Sequence, residues 1–373
     1  MTDARLPHRS RLTRRTFATA TATAAAIGAG TATLPALAAT PAASPEASPA
    51  AAILPDSPLS ATLPNGGLQA DGTWAFTDDR GVTVTLPSTP EKVVAYVGFA
   101  AALYDLGYEV AAYFGSATNA DGTPAGVAGR LPLDRIPSVA TADDDYTVDV
   151  EKLVALGADL FVGPNYDITA EPAVIWPLDA DLLAQVGQTA EVIHLAGADG
   201  ADVERTIISI VNLAAALGVD IDTPAVAEAK AAFQAAREAL AGAIAAKSNL
   251  TTLWIAGSAT GFWTQSNGTD ILFLRKLGVQ FAGDDLGAVG EQSWETFATT
   301  WASDVLFNDD RQPHWWGVEQ LTAEIPTFAL HPAVAAGQVA PWRNTFVSSY
   351  AGFTPVMEQY TEVFLTADET VLP

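Results

Sequence analysis

Two arginines stand beside tryptophans late in the chain: "NDDRQPHWW" carries Arg311 with Trp315 and Trp316, and "VAPWRN" carries Arg343 directly after Trp342. A guanidinium presents a planar fork of N–H donors that matches carboxylates and other paired oxygens. Indole rings cover the apolar parts of a bulky ligand. Chemistry of this kind is non-covalent capture rather than bond making. Position adds Tyr113 and Phe114, Asn165 and Tyr166, and Trp263, because each closes or follows an apolar run that reads as a strand. In open α/β sheets, ligands meet the loops at the carboxyl ends of strands. Each of these aromatics also has an ordinary alternative as a core residue.

Covalent chemistry has less support. "AGSATG" at 256–261 lacks the G-x-S-x-G spacing of a hydrolase elbow, and no phosphate-cradling loop is present. A secreted hydrolase is the rival reading, and no catalytic residues are assigned. Beyond the N-terminal stretch the histidines are His194, His314 and His331, none in a close pair, and there is no cysteine. No metal site made by protein ligands and no cofactor are expected.

The elements that must position these residues alternate in type. "TWAFTDDRGVTVTL" reads as a hairpin around Asp79-Arg80-Gly81, and "EKVVAYVGFAAALYDLGYEVAAYFGS" as strand, helix closed by Gly107, strand. In "DVEKLVALGADLFV", Glu151 opens a short helix with Leu153, Val154 and Leu156 at helical spacing, Gly157 stops it, and a doubly buried strand follows. "SWETFATTWASDVLF" reads as a second such unit opened by Glu295. Chance repetition in an α/β chain is the plain alternative, and a glutamate in a first helical turn is favoured by the helix dipole alone. "AEVIHLAG" and "ADVERTIISIVNLAAALG" extend the first half. "TPAVAEAKAAFQAAREALAGAIAAK" then keeps helical periodicity through Val226, Phe233, Leu240 and Ile244. Its 24 or so residues would span roughly 36 Å, enough to bridge two lobes. "TTLWIAGS", "DVLFNDD", "IPTFAL" and "QVAPW" resume strands before a last helix, "SSYAGFTPVMEQYTEVFL".

The N-terminus has a basic start, Arg14-Arg15 followed by Phe17, a weakly apolar Ala/Thr/Gly run and Ala36-Leu37-Ala38. This is the pattern of a twin-arginine export signal over 1–39. It predicts a periplasmic or cell-surface protein, without a lipid-bearing cysteine. A Pro/Ala/Ser spacer over 40–69 is too poor in large apolar residues to build a core. Without the leader's five arginines and one aspartate, 13 basic and 42 acidic residues remain, a net charge of −29. Nucleic-acid binding is excluded on that balance, since phosphate neutralisation needs a basic face.

The hairpin, "STPEKVVAYVGFAAALYDLGYEVAAYFG", "VDVEKLVALGADLFVG", the long Ala-rich helix and the late "HPAVAAGQVAPW" resemble, in that order, the iron-siderophore/cobalamin substrate-binding proteins of ABC importers. The resemblance runs from about residue 70 to 370 and implies an α/β fold of two Rossmann-like lobes joined by a single long rigid α-helix, with the ligand cleft between them. It divides the chain into an N-terminal lobe over 70–222, an interlobe helix over 223–248 and a C-terminal lobe over 249–373. The implied partners are a small-molecule metal chelate, foremost a ferric siderophore, and a membrane ABC permease, with the protein a monomer. Haem or cobalamin is the alternative ligand of the same fold, and Tyr113, Tyr166 or His314 could reach haem iron. Glu151 and Glu295 match the family's docking glutamates, one on each lobe. Arg130, Arg135, Arg311 and Arg343 remain as cleft cations. Their scarcity, in so acidic a chain, favours ferric hydroxamates over highly anionic tris-catecholates.

Overall fold

The computed structural model describes residues 66–372, apart from 171, 198–200, 265–267, 285–289, 310 and 312–314. The leader and most of the spacer lie outside the described residues, as does His314. Among the described residues no helix is long and apolar enough to cross a membrane.

A three-stranded antiparallel sheet opens the described chain, formed by β1 (Gly66–Leu68), β2 (Trp74–Thr77) and β3 (Thr83–Leu86), with the expected hairpin between the last two. The first α/β half follows with β4 (Val93–Tyr96), α1 (Val97–Asp105), β5 (Ala112–Phe114), α2 (Val150–Leu156), β6 (Leu160–Asn165), α3 (Ala180–Val186), β7 (Glu191–Ala196) and α4 (Val203–Ala216). Its sheet is parallel, in the order β5-β4-β6-β7. Parallel strands are covered on both faces, so their residues are apolar on both sides. In β4, Val93 and Ala95 enter one apolar cluster and Val94 the opposite one; in β6, Leu160 and Val162 divide from Phe161 in the same way. Helix α2 starts where the Asp149 carboxylate accepts the N–H groups of Glu151 and Lys152, and it stops at Gly157, which holds φ +67°. That left-handed conformation is cheap only for glycine.

Helix α5 (Pro224–Ala246) comes next in sequence, capped by the Thr223 hydroxyl and 23 residues long, about 35 Å. The second half contains β8 (Thr251–Gly257), β9 (Phe262–Thr264), α6 (Thr269–Lys276), β10 (Gln280–Phe281), β11 (Gly290–Gln292), β12 (Val305–Asp309), α7 (Val318–Glu324), α8 (Pro332–Ala335), β13 (Val339–Pro341) and α9 (Tyr350–Thr366). Its parallel strands run β10-β8-β12-β13, repeating the strand order of the first half, and β9 with β11 adds an antiparallel extension. Trp254 of β8 and Phe307 of β12 stack at 3.8 Å and belong to the same apolar cluster as β4, α4, α5 and α9. One continuous core therefore runs through both halves, with Phe233 of α5 against Tyr350 and Phe353 of α9.

Two expected elements differ. "IPTFAL" is not a strand: its last three residues, Phe328–Leu330, form a 3-10 turn, and buried Phe328 stacks on Phe297 at 5.6 Å. A short apolar run cannot by itself separate a strand from a buried turn. The unit opened by Glu295 is a 3-10 turn, Trp294–Thr296, rather than an α-helix. Its β-branched threonines are weak helix formers, and Trp294, Phe297 and Trp301 reach the core without helical regularity. The short strands β1, β9, β10 and β11 are additional to the sequence reading, and β1, paired with β2, lies within the last residues of the expected spacer.

Candidate functional site

In each half the strand order reverses beside the first strand, β4 in one and β8 in the other, and that reversal opens a crevice at the carboxyl ends. Three adjoining cavities lie there, of about 330, 490 and 810 Å³, and Arg311 and Thr345 line all three. Both halves contribute walls. From the first come Tyr96 at the end of β4, Tyr146 in the loop after β5, and Tyr166 and Trp176 after β6. From the second come Asp270 in the first turn of α6, and Arg311 and Trp315 after β12.

The aromatic wall is organised around Trp176. Tyr166 stacks on it at 5.5 Å and 13°, while Tyr146 and Tyr96 meet it edge-on at 5.5 and 5.7 Å. Burial raises the Tyr96 hydroxyl well above its ordinary pKa, so it remains a neutral donor. Backbone shape holds this ring as well: Gly115 has φ +91°, and a Cβ there would lie 2.7 Å from Tyr96 Cε2.

The polar floor is built on β12. The fully buried Asp309 carboxylate accepts Arg311 Nε at 2.8 and 2.9 Å and its terminal nitrogen at 2.5 Å, and also Asn344 Nδ2 at 3.1 Å. Arg311 is thereby fixed and largely neutralised while its side chain keeps 40% of its surface open. Asp270 is buried and accepts Trp342 Nε1 at 2.7 Å. Burial pushes its carboxyl up to about 6; the Trp342 bond opposes this and the nearby charge of Asp309 adds to it.

Four of the nine nominated ligand residues line the cavities: Tyr166, Arg311, Trp315 and Arg343. The other five do not. Phe114 is fully buried and stacks on Phe161 at 4.5 Å. Tyr113, 9% exposed, is a strand residue within the sheet. Asn165 is buried and spent on His194 Nδ1 and the Asp167 N–H. Trp263 is exposed on β9 and lines none of the three cavities, and Trp316 packs beside the second half's apolar cluster. Arg130 and Arg135 are likewise outside, paired with Asp105 and Glu109. His194 is bonded within the core and kept neutral, its pKa lowered to about 4 chiefly by burial. His331 caps α8 through Nδ1 while Nε2 donates to the Trp301 carbonyl.

Tyr96 and Trp176 were not nominated from sequence. The rule that nominated the others points to Tyr96 too, since it ends the first strand of the half. Trp176 sits on an irregular loop, and Asp270 in a helix; nothing in their spacing marks them. Glu151 and Glu295 are both exposed, in a first α-helical turn and in a 3-10 turn, and in each case a side chain two residues earlier, Asp149 or Ser293, accepts the glutamate's own N–H.

No family model and no curated sequence matches the chain. Solved structures do. DesE, a ferric-siderophore receptor protein from Streptomyces coelicolor, is 30% identical, with a TM-score of 0.69, over 79% of this chain and 99% of that one. The siderophore periplasmic binding protein from the fuscachelin gene cluster of Thermobifida fusca is 20% identical, with a TM-score of 0.54, over 74% and 97%. The petrobactin-binding protein YclQ from Bacillus subtilis is 17% identical, with a TM-score of 0.57, over 78% and 98%. The last two show the fold alone. The first, matched over nearly its whole length on the same α/β architecture, shows that this chain belongs to the siderophore-binding periplasmic proteins of the class III fold.

Proposed function

We propose that the protein is exported through its twin-arginine leader, captures a ferric siderophore in the cleft between its two halves, and delivers it to an ABC permease that grips Glu151 and Glu295. The observation that carries the reading is the lining of the cleft: an aromatic wall around Trp176 faces an arginine pinned by a buried carboxylate. The rings cover the organic arms of a chelate, and the open edge of Arg311 meets its oxygen donors. Cavity sizes of this order suit small-molecule ligands.

Charge narrows the ligand. Arg311 is already paired with Asp309, and Arg343 Nε donates to Gln359. Asp121, Asp143, Asp144, Asp145 and Asp270 line the same space. A trianionic tris-catecholate would meet more negative than positive charge there, whereas a neutral or cationic ferric hydroxamate would not. Tryptophan-fluorescence titration against ferric hydroxamates, ferric catecholates, haem and cobalamin tests this directly, because Trp176 and Trp315 face the ligand. Ferric hydroxamates should bind most tightly; a catecholate bound tenfold better than any hydroxamate, or preference for haem or cobalamin, overturns the assignment.

A further inference from the structure

Behind the cleft, on the side of α5, a charged cluster joins three helices. Lys276 Nζ, at the C-terminus of α6, donates to Asp202 Oδ2 at 2.9 Å and to Glu204 Oε2 at 2.8 Å. Both acids begin α4, in the other half of the molecule. Glu204 also accepts Arg237 Nε of α5 at 2.9 Å. The Glu204 side chain is fully buried, Arg237 is 5% exposed and Lys276 is 26% exposed. Burying such charges is costly, and well-packed apolar side chains would hold the helices together at least as firmly. What an ion cluster can add instead is a preference for one geometry, since its hydrogen bonds are best satisfied at one spacing of its members.

That spacing reaches the cleft. Helix α4 carries Thr206 and α6 carries Thr269 and Asp270, and all three line the cavity of about 330 Å³. Both helices thus present their first turns to the ligand space from opposite halves, and the Lys276 bridge joins them just behind it. We propose that the Asp202–Glu204–Lys276–Arg237 cluster is a clamp that sets the separation of the two halves at the cleft, with Lys276 a positioning residue for ligand binding. The effect on affinity rests on the siderophore reading; the effect on geometry does not.

The chain has no cysteine, so spin labels can be placed selectively. Val154 and Leu330, one in each half, are 63% and 69% exposed and accept labels as Val154→Cys and Leu330→Cys. In the ligand-free labelled protein the clamp predicts one narrow interlabel distance distribution by pulsed electron spin resonance. Lys276→Met keeps the aliphatic stem and leaves Glu204 its Arg237 partner. It should broaden or shift the distribution, and titration with a linear ferric trihydroxamate should show a Kd raised about fivefold, with the narrow distribution restored at saturation. Lys276→Arg should behave as the parent. Should Lys276→Met fail to fold, Asp202→Asn, which can still cap α4, should produce a smaller broadening in the ligand-free protein. A distribution that superimposes on the parent in a folded Lys276→Met protein, or in Asp202→Asn where that substitute is needed, overturns the clamp. Failure of the parent to bind any ferric chelate would count against the siderophore reading instead, leaving the ligand-free distances to decide the clamp.

Discussion

Arg311 and Asp270 face the same cavity with opposite charge, and each makes a separate prediction. Arg311→Ala should weaken a ferric hydroxamate by about 1.5–3 kcal/mol, the range for a charge-assisted hydrogen bond lost from a desolvated site, as read by fluorescence titration. The same substitution leaves the buried Asp309 carboxylate with Asn344 as its remaining side-chain donor, a cost to stability separate from the affinity loss. Asp270 predicts a pH effect on stability. Its folded pKa of about 6 lies above the ordinary 3.8, so between these values the folded state keeps a proton that the unfolded chain has released. The Asp270 contribution to stability should therefore be full below about pH 4, fall as pH rises towards 6, and level off above it, a component on the order of 3 kcal/mol at 1.36 kcal/mol per pKa unit. Asp270→Asn can still accept the Trp342 indole N–H, and denaturant unfolding from pH 4 to 7 should lose this component of the slope. An unchanged slope would mean that the carboxyl does not titrate there.

At the scale of elements, two glycines separate stability from function. Gly157→Ala places a side chain at φ +67° with open space around it, so it should cost about 1–2 kcal/mol of stability and leave ligand affinity unchanged. Gly115→Ala, at φ +91° against the Tyr96 ring, should cost stability and also weaken the ligand by displacing that ring; equal affinities for the two variants would contradict the role given to Tyr96. The same contrast shows what the sequence made legible. The β4, β6, β8 and β12 runs declare themselves because both faces of each must be apolar, and Gly157 and Thr223 mark helix ends by their own chemistry. Strands β9 to β11 span two or three residues each, too few for a period to register. Tyr96 ends β4 and meets the same strand-end rule as the other candidates; what spacing does not encode is which side chains at those ends face the crevice, and Phe114 and Asn165, on the strands either side of β4, turn theirs into the core.

At the scale of the whole molecule, the repeated strand order gives the protein two similar faces, and the docking proposal uses both. Glu151→Lys combined with Glu295→Lys should abolish uptake, or permease-stimulated ATP hydrolysis, while ligand affinity stays unchanged, because exposed charges fix docking more than they stabilise a fold. Transport by the double variant at the parent's rate, or a loss of ligand binding, would remove these residues from that role. The acidity of the chain beyond its leader acts over longer range, biasing approach towards neutral or cationic ligands, within the screening length of about 8 Å at physiological salt. The central claim is that the cleft exists to hold a ferric chelate, and the most direct measurement is isothermal titration of the protein with a ferric trihydroxamate and with the same chelator free of iron. The iron complex should bind saturably and one-to-one, tighter than about 100 μM, or −5.5 kcal/mol, and the iron-free form much more weakly. Binding of the ferric complex no tighter than 100 μM, with ferric catecholates equally weak, would contradict it.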